Sequence, residues 1–362
     1  MTLRVGTRGS ALAVAQTQLV ADALAAALGG VDVEIVRITT HGDTSRASLS
    51  SLGGTGVFAT ALRDALREGR CDVIVHSFKD LPTAPSPGLT IGAVPVREDA
   101  RDVVVTRDGT LLDRLPAGAR VGTGSPRRVA QVRSVRPDLE VVDIRGNVDS
   151  RLARLDAAGD ERLDAVVLAA AGLSRLGRVD VAAEHMPLTE WPTAPAQGAL
   201  AVEVRAEDAV GTPLADALAV LNDPVSAACA AAERGVLAGL QTGCAAPLGA
   251  TATITGGCLT LTAAVYAVDG TRRLEASHTI AVGALATPTA TIHITPTGDP
   301  ADPVPVDPAS PGLAAARPAA AAGTSPTAMP AALIAAADQA ARIVTVQLLA
   351  DGAADLTVRE DA

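Results

Sequence analysis

The residues of this chain best suited to chemistry lie in one stretch, Val75-His76-Ser77-Phe78-Lys79-Asp80-Leu81-Pro82. It follows Cys71-Asp72-Val73-Ile74, a short β-rich run that reads as a buried strand. The strand would deliver His76 to Asp80 at its carboxyl end, where open α/β sheets bind ligands. Lys79 is the only lysine; the other 29 of the 30 basic residues are arginine. An ammonium is a compact point charge and a guanidinium a planar fork, so a chain this rich in arginine has kept one group of different shape beside a carboxylate. A solvated Lys-Asp pair is the bland alternative, and the single lysine argues against it.

The arginines form the second constellation. Gly6-Thr7-Arg8-Gly9-Ser10 is a turn between the short strand Leu3-Arg4-Val5 and a helix over 11–28, with Ser10 as N-cap. Such a helix start offers free backbone N–H groups to an anion. The pattern recurs at Arg120 to Arg128, where Ser125 precedes a helix that begins with Arg127 and Arg128. Ala119 to Pro137 holds five arginines and no acid, which reads as a local anion site in a protein of net charge -10. Its GxG lacks the third glycine of a dinucleotide-binding loop. Arg145, Arg151 and Arg175 follow later strands and would rim the same face. Of four cysteines, Cys71, Cys229 and Cys258 read as buried small hydrophobes, whereas Cys244 lies on a loop between glycine and proline. His41 reads as structural. The Gly-rich run 51–58 precedes a helix over 59–68 and would let backbone approach a ligand.

The elements that must position these residues alternate strand and helix, which implies parallel sheets. The fold expected is α/β, with two lobes like those of periplasmic binding proteins around a cleft, and a smaller α+β third domain. The first domain takes 1–97 and 195–215, the second 98–194 and the third 220–362. Pro192 to Ala199 is the return crossing. A length of 362 residues suits two or three domains, and 1% aromatic content makes the cores aliphatic. No basic face suggests nucleic acid, and no CxxC spacing suggests zinc. Neither a signal peptide nor a run of 18 uncharged apolar residues is read, so a soluble, cytoplasmic protein is expected. The segment 284–330 is rich in Thr, Pro and Ala and is expected to be a disordered insertion before a helix over 331–349.

VHSFKDLP, GSPRR, RGNVDSRL, AAAGLSRLG and ERGVLAGLQTGCAAPLG together resemble the hydroxymethylbilane synthase (porphobilinogen deaminase) family. The resemblance runs from Leu3 to about Val282 and over the final helix. It implies a monomeric transferase that deaminates porphobilinogen. The enzyme would add four units to a dipyrromethane cofactor held by a thioether at Cys244, then release the linear tetrapyrrole by hydrolysis. It matches Asp80 to the catalytic aspartate. It matches Arg8, Ser10, Ser77, Lys79, Ser125, Arg127, Arg128, Arg145, Arg151 and Arg175 to cofactor and substrate binders, and Gln16 and Phe58 to cleft-lining positions. Ser51 and Thr55 stand where relatives often carry lysines. A non-catalytic anion-binding protein of the same fold would explain the arginines but not Cys244; a nucleotide-dependent dehydrogenase fits less well.

Overall fold

A computed structural model describes residues 2–39, 57–241, 246–282 and 331–356. The attachment cysteine Cys244, His41, the Gly-rich loop with Ser51 and Thr55, and the segment 284–330 lie outside these residues, as does the side chain of Phe58.

The first sheet is built from β1 (Thr2–Arg8), β2 (Asp32–Ile38), β3 (Val73–Ser77), β4 (Leu89–Ala93) and a late strand, β10 (Leu200–Arg205), in the order β2-β1-β3-β10-β4. Strand alternation divides the apolar residues between two faces. Val5, Val73 and Val75 meet Val20 and Leu24 of α1 (Ala11–Ala27). Ile74 on the other face meets Leu62 and Leu66 of α2 (Val57–Arg67). Ser10 caps α1, accepting from the Ala13 N–H at 3.3 Å.

The second sheet repeats this plan. Its strands are β5 (Asp102–Thr106), β6 (Arg120–Gly122), β7 (Glu140–Val142), β8 (Ala165–Ala169) and β9 (Glu184–His185), in the order β7-β6-β8-β5-β9. Between them lie α3 (Pro126–Val135), α4 (Val148–Leu152) and α5 (Ala170–Arg175). Both sheets are mixed, which corrects the parallel expectation: β10 runs antiparallel to β3 and β4, and β5 antiparallel to β8 and β9. The chain leaves the first sheet after β4, enters the second at β5 and returns at β10. The two strands next to the crossings therefore oppose their neighbours. The return segment is buried, and it needs glycine at 198 on two counts: φ is +87, and a Cβ would stand 2.4 Å from the Glu98 carbonyl of the outgoing segment.

Helix α6 (Pro213–Leu221) completes the first core, with Leu218 against Val204. A third unit follows: α7 (Pro224–Gly239), the antiparallel meander β11 (Leu248–Thr255), β12 (Cys258–Tyr266) and β13 (Arg273–Ala281), and α8 (Ala331–Ala350). Leu259, Leu261, Val236, Leu333, Val344 and Leu348 form its aliphatic core. Gly235 lets the helices touch, since a Cβ there would lie 2.6 Å from that of Ala341. By length and composition α8 could cross a membrane, but its apolar face is spent on this core. Cys258 is half-buried rather than buried, because it opens β12 at the rim of the meander, beside the turn at Gly256.

Candidate active site

Strand β3 ends at Ser77 and runs into one turn of three-ten helix, Phe78–Asp80. The β alternation turns Ser77 toward α1, where its hydroxyl donates to Gln16 Oε1 at 3.0 Å. Phe78 is buried while Asp80 is exposed. Arg8, Ser10, Gln16, Ser77 and Asp80 line one pocket of about 100 Å³ with His76, Leu12, Ala13, Ala59, Leu62 and Val75. The structure thus gathers, on one wall, residues drawn from the ends of β1 and β3 and the start of α1.

Lys79 reaches the return crossing between the first two sheets, where its Nζ donates to Gln197 Oε1 at 3.2 Å. Burial pushes this ammonium down to about 8, Asp80 opposes the shift and Arg128 adds to it. Gln197 belongs to the return crossing. Its Nε2 donates to Asp102 Oδ1 at 2.7 Å and to the Ala100 carbonyl at 2.8 Å.

Asp102, fully buried at the start of β5, organises the basic wall. Arg127 reaches Asp102 Oδ2 at 2.8 Å, Arg128 reaches Oδ1 at 2.7 Å, and the Trp191 indole donates to Oδ2 at 3.0 Å. Burial would push the Asp102 carboxyl up, but the two guanidiniums hold it well below the usual carboxylate range. The arginine run therefore has its counter-charge supplied from outside the run. Arg136 likewise pairs with Asp138 at 2.6 Å, and Arg120 with Glu140 at 3.5 Å. Ser125 precedes α3 and is half-buried.

The remaining arginines divide. Arg151 sits on α4, half-buried, with its Nε on the Gly146 carbonyl at 2.9 Å. Burial lowers its pKa, and the nearby charges of Arg128 and Arg145 add to this while Asp80 opposes it. Arg128, Arg145, Arg151 and Asp80 therefore share one electrostatic neighbourhood, although they come from both sheets. Arg175 stands apart: its Nη2 donates to the Gly198 carbonyl at 2.6 Å, and burial pushes it down to about 10 against the pull of Glu98.

Sequence reasoning assigned no role to five residues that hold this site. Asp102 was readable only as an acid opening an apolar strand, and Gln197 as an amide in a turn-rich crossing. Glu203, the acid within Leu200–Arg205, accepts from Arg63 at 2.9 Å and meets His76 Nε2 at 3.1 Å. In α7, Glu233 and Arg234 stand in an alanine-rich helix, and a charged pair in such a helix signals distant partners. Glu233 is fully buried and accepts from Arg97 at 2.7 Å, from the Ala196 N–H at 2.6 Å and from the Ala252 N–H at 2.7 Å. Arg234 donates to the Phe78, Leu81 and Pro82 carbonyls. Cys71 and Cys229 are buried, and burial pushes their thiols up to about 11 and 12, so neither is a ready nucleophile.

Comparison with known proteins adds three findings. The family described as porphobilinogen deaminase, dipyromethane cofactor binding domain, matches residues 3–211, and the porphobilinogen deaminase C-terminal domain matches 227–290. A porphobilinogen deaminase of Leifsonia xyli subsp. xyli is 65% identical over 277 residues, covering 76% of this chain and 83% of that protein. One from Cutibacterium acnes is 53% identical, covering 75% and 85%. Among solved structures, a periplasmic substrate-binding protein of an ABC transporter from Coxiella burnetii aligns with TM-score 0.38 and 16% identity, over 63% of this chain and 95% of that one.

Proposed function

Because the chain belongs to the porphobilinogen deaminase family, transferases that make hydroxymethylbilane for tetrapyrrole biosynthesis, we propose that Asp80 is its catalytic carboxylate and Cys244 its cofactor-attachment residue. Its substrate is porphobilinogen and its cofactor dipyrromethane. The residues present suit that group. Its acetate and propionate carboxylates need forked donors, and the Nε–H groups of Arg127 and Arg128 are buried with no acceptor from the described residues. Arg127, Arg128, Ser125, Lys79, Arg145 and Arg151 would hold carboxylates on one wall, and Arg8, Ser10, Ser77, Gln16 and Phe58 would line the other. Arg175, tied to Gly198, would set the crossing beside them. When bound, the cofactor supplies the pyrrole end to which porphobilinogen units are joined.

Asp80 meets the other demand of the reaction. Loss of ammonia leaves a porphobilinogen-derived cation with charge on its pyrrole nitrogen. An exposed carboxylate at the pocket wall accepts from that N–H and stabilises the charge as it develops. Lys79, set behind the turn and held by Gln197, supplies a fixed positive charge beside Asp80. The reading takes the enzyme as a cytoplasmic monomer that binds neither nucleic acid nor membrane. The net charge of -10 supports the absence of a nucleic-acid surface, and the commitment of α8 to the third core supports the absence of a membrane span.

The observation that carries the proposal is Asp80 exposed at the pocket that Arg8, Ser10, Gln16 and Ser77 also line. Asp80→Asn keeps the shape and removes the charge. A unit-charge contact at 4 Å is worth about 4 kcal/mol at an effective dielectric of 20, so single-turnover extension on cofactor-loaded protein falls roughly a hundredfold or more. Asp80→Glu loses less. A loaded Asp80→Asn protein that extends at near the parent rate refutes the assignment.

A further inference from the structure

The turn that carries Asp80 cannot hold itself. Phe78–Asp80 is a single three-ten turn, closed by a long Leu81 N–H to Phe78 carbonyl bond of 3.3 Å and tied to the sheet by the Phe78 N–H on the Ala199 carbonyl at 3.0 Å. Beyond it, Pro82, Pro85 and Pro87 lack the N–H donors that would continue a regular element. The Phe78 carbonyl has only that long local bond, and the Leu81 and Pro82 carbonyls beyond Asp80 take their donors from elsewhere.

One side chain provides them. Arg234 Nη1 donates to the Phe78 carbonyl at 3.0 Å and the Leu81 carbonyl at 2.9 Å, and Nη2 to the Pro82 carbonyl at 2.7 Å. Its guanidinium carbon lies 4.5 Å from the centroid of the Phe78 ring. The fork therefore spans the turn before and after Asp80 and stacks on the residue two positions before it. The partners are 156 to 152 residues away in sequence, so the clamp is tertiary. The base of the clamp is rigid. The preceding residue, Glu233, binds Arg97, the Ala196 N–H and the Ala252 N–H, which belong to the outgoing segment, the return crossing and β11. The third unit thereby reaches the Asp80 turn through Arg234 and the two crossing segments through Glu233, consecutive residues of α7.

We infer that Arg234 is a positioning residue for Asp80, fixing the carboxylate against the pocket by clamping the three carbonyls around it. The inference rests on the assignment of Asp80 above. Arg234 is not among the residues that line the Asp80 pocket; it acts through the turn. A lysine could keep the charge but not three simultaneous contacts and the stacking.

The test uses the full-length enzyme carrying its cofactor, with Arg234→Gln, Arg234→Lys and Asp80→Asn singly and Arg234→Gln combined with Asp80→Asn. Cofactor loading is read by intact mass and by colour with Ehrlich's reagent, and folding by thermal denaturation. Arg234→Gln and Arg234→Lys load cofactor normally, and their single-turnover rates fall by about ten- to a hundredfold, the scale of a misplaced catalytic group. The substrate concentration at half-maximal rate moves less than about threefold, since the binding walls are untouched. In the combined variant Arg234→Gln costs less than about threefold more than Asp80→Asn alone, because the group it positions has gone. Losses that multiply in the combined variant, a normal rate in Arg234→Gln, or failure of both single variants to fold or load would each overturn the inference. A normal rate in Asp80→Asn would instead refute the Asp80 assignment, and the two failures are distinguishable.

Discussion

Lys79 shows how one residue can oppose its own fold while serving its neighbour. Burial pushes its ammonium down to about 8 from an ordinary 10.5. Below about pH 8 both folded and unfolded chains hold the proton, and the cost of burying the charge is present in full. Between about 8 and 10.5 the unfolded chain binds more protons, so the contribution of Lys79 to stability rises with pH. Its help to Asp80 changes in the opposite sense, because the fixed positive charge disappears. Single-turnover rates should therefore decline as pH passes through about 8. In Lys79→Arg the guanidinium keeps its proton, and the alkaline limb should move up by more than a unit while the rate at neutral pH falls only modestly. A pH–rate profile of the two loaded proteins decides this; an unmoved limb would assign the decline to another group.

The elements hold their ends with local devices that can be tested one at a time. Helix α7 starts at Pro224 after Asp223, whose carboxylate accepts from the Ser226 N–H at 2.7 Å. The Asp223 N–H in turn donates to the Val94 carbonyl at 2.8 Å, so the cap also ties the third unit to the end of β4. Asp223→Ala should cost about 1 kcal/mol of stability. Since α7 carries both Glu233 and Arg234 near its other end, fraying at the cap should leave catalysis of the folded enzyme unchanged. Chemical denaturation and turnover measured on the same preparation check both halves of the expectation.

At the scale of the whole molecule, one buried carboxylate joins several units. Glu233 is where the outgoing segment, the return crossing and the third sheet meet, and its Arg97 partner is itself nearly buried at 11% side-chain exposure. Glu233→Gln removes the charge, leaves Arg97 buried without it and should destabilise by about 3–5 kcal/mol. The surface pair of Arg70 with Glu68 is equally short at 2.7 Å but half-exposed, so Glu68→Gln should cost at most about 1 kcal/mol. Denaturant midpoints of the two variants test the contrast. Equal losses would mean that the three-way junction does not hold the units together.

What could be read from the sequence depended on rules that reach only a few residues. Ser10 announced its helix because a cap contacts an N–H three residues on. The apolar run Cys71–Ile74 announced a strand, which the structure places at Val73–Ser77, so that His76 and Ser77 lie within it rather than beyond it. The motifs around Lys79, Arg128 and Cys244 pointed to the family that the comparisons show. Strand direction escaped this reading: β5 and β10 look like their neighbours, and only the interleaved crossings make them antiparallel. Helix α6 and strand β11 escaped it too, lying in Ala- and Thr-rich runs of weak periodicity. The charge pattern was legible as sites but not as pairs. Nothing near Arg127 or Arg128 specifies Asp102, 25 and 26 residues earlier, and nothing near Asp80 specifies Arg234. Sequence determines local conformation through neighbouring residues. Which buried charge meets which is decided only when distant elements close on one another, because an unpaired charge there costs more than the fold can bear.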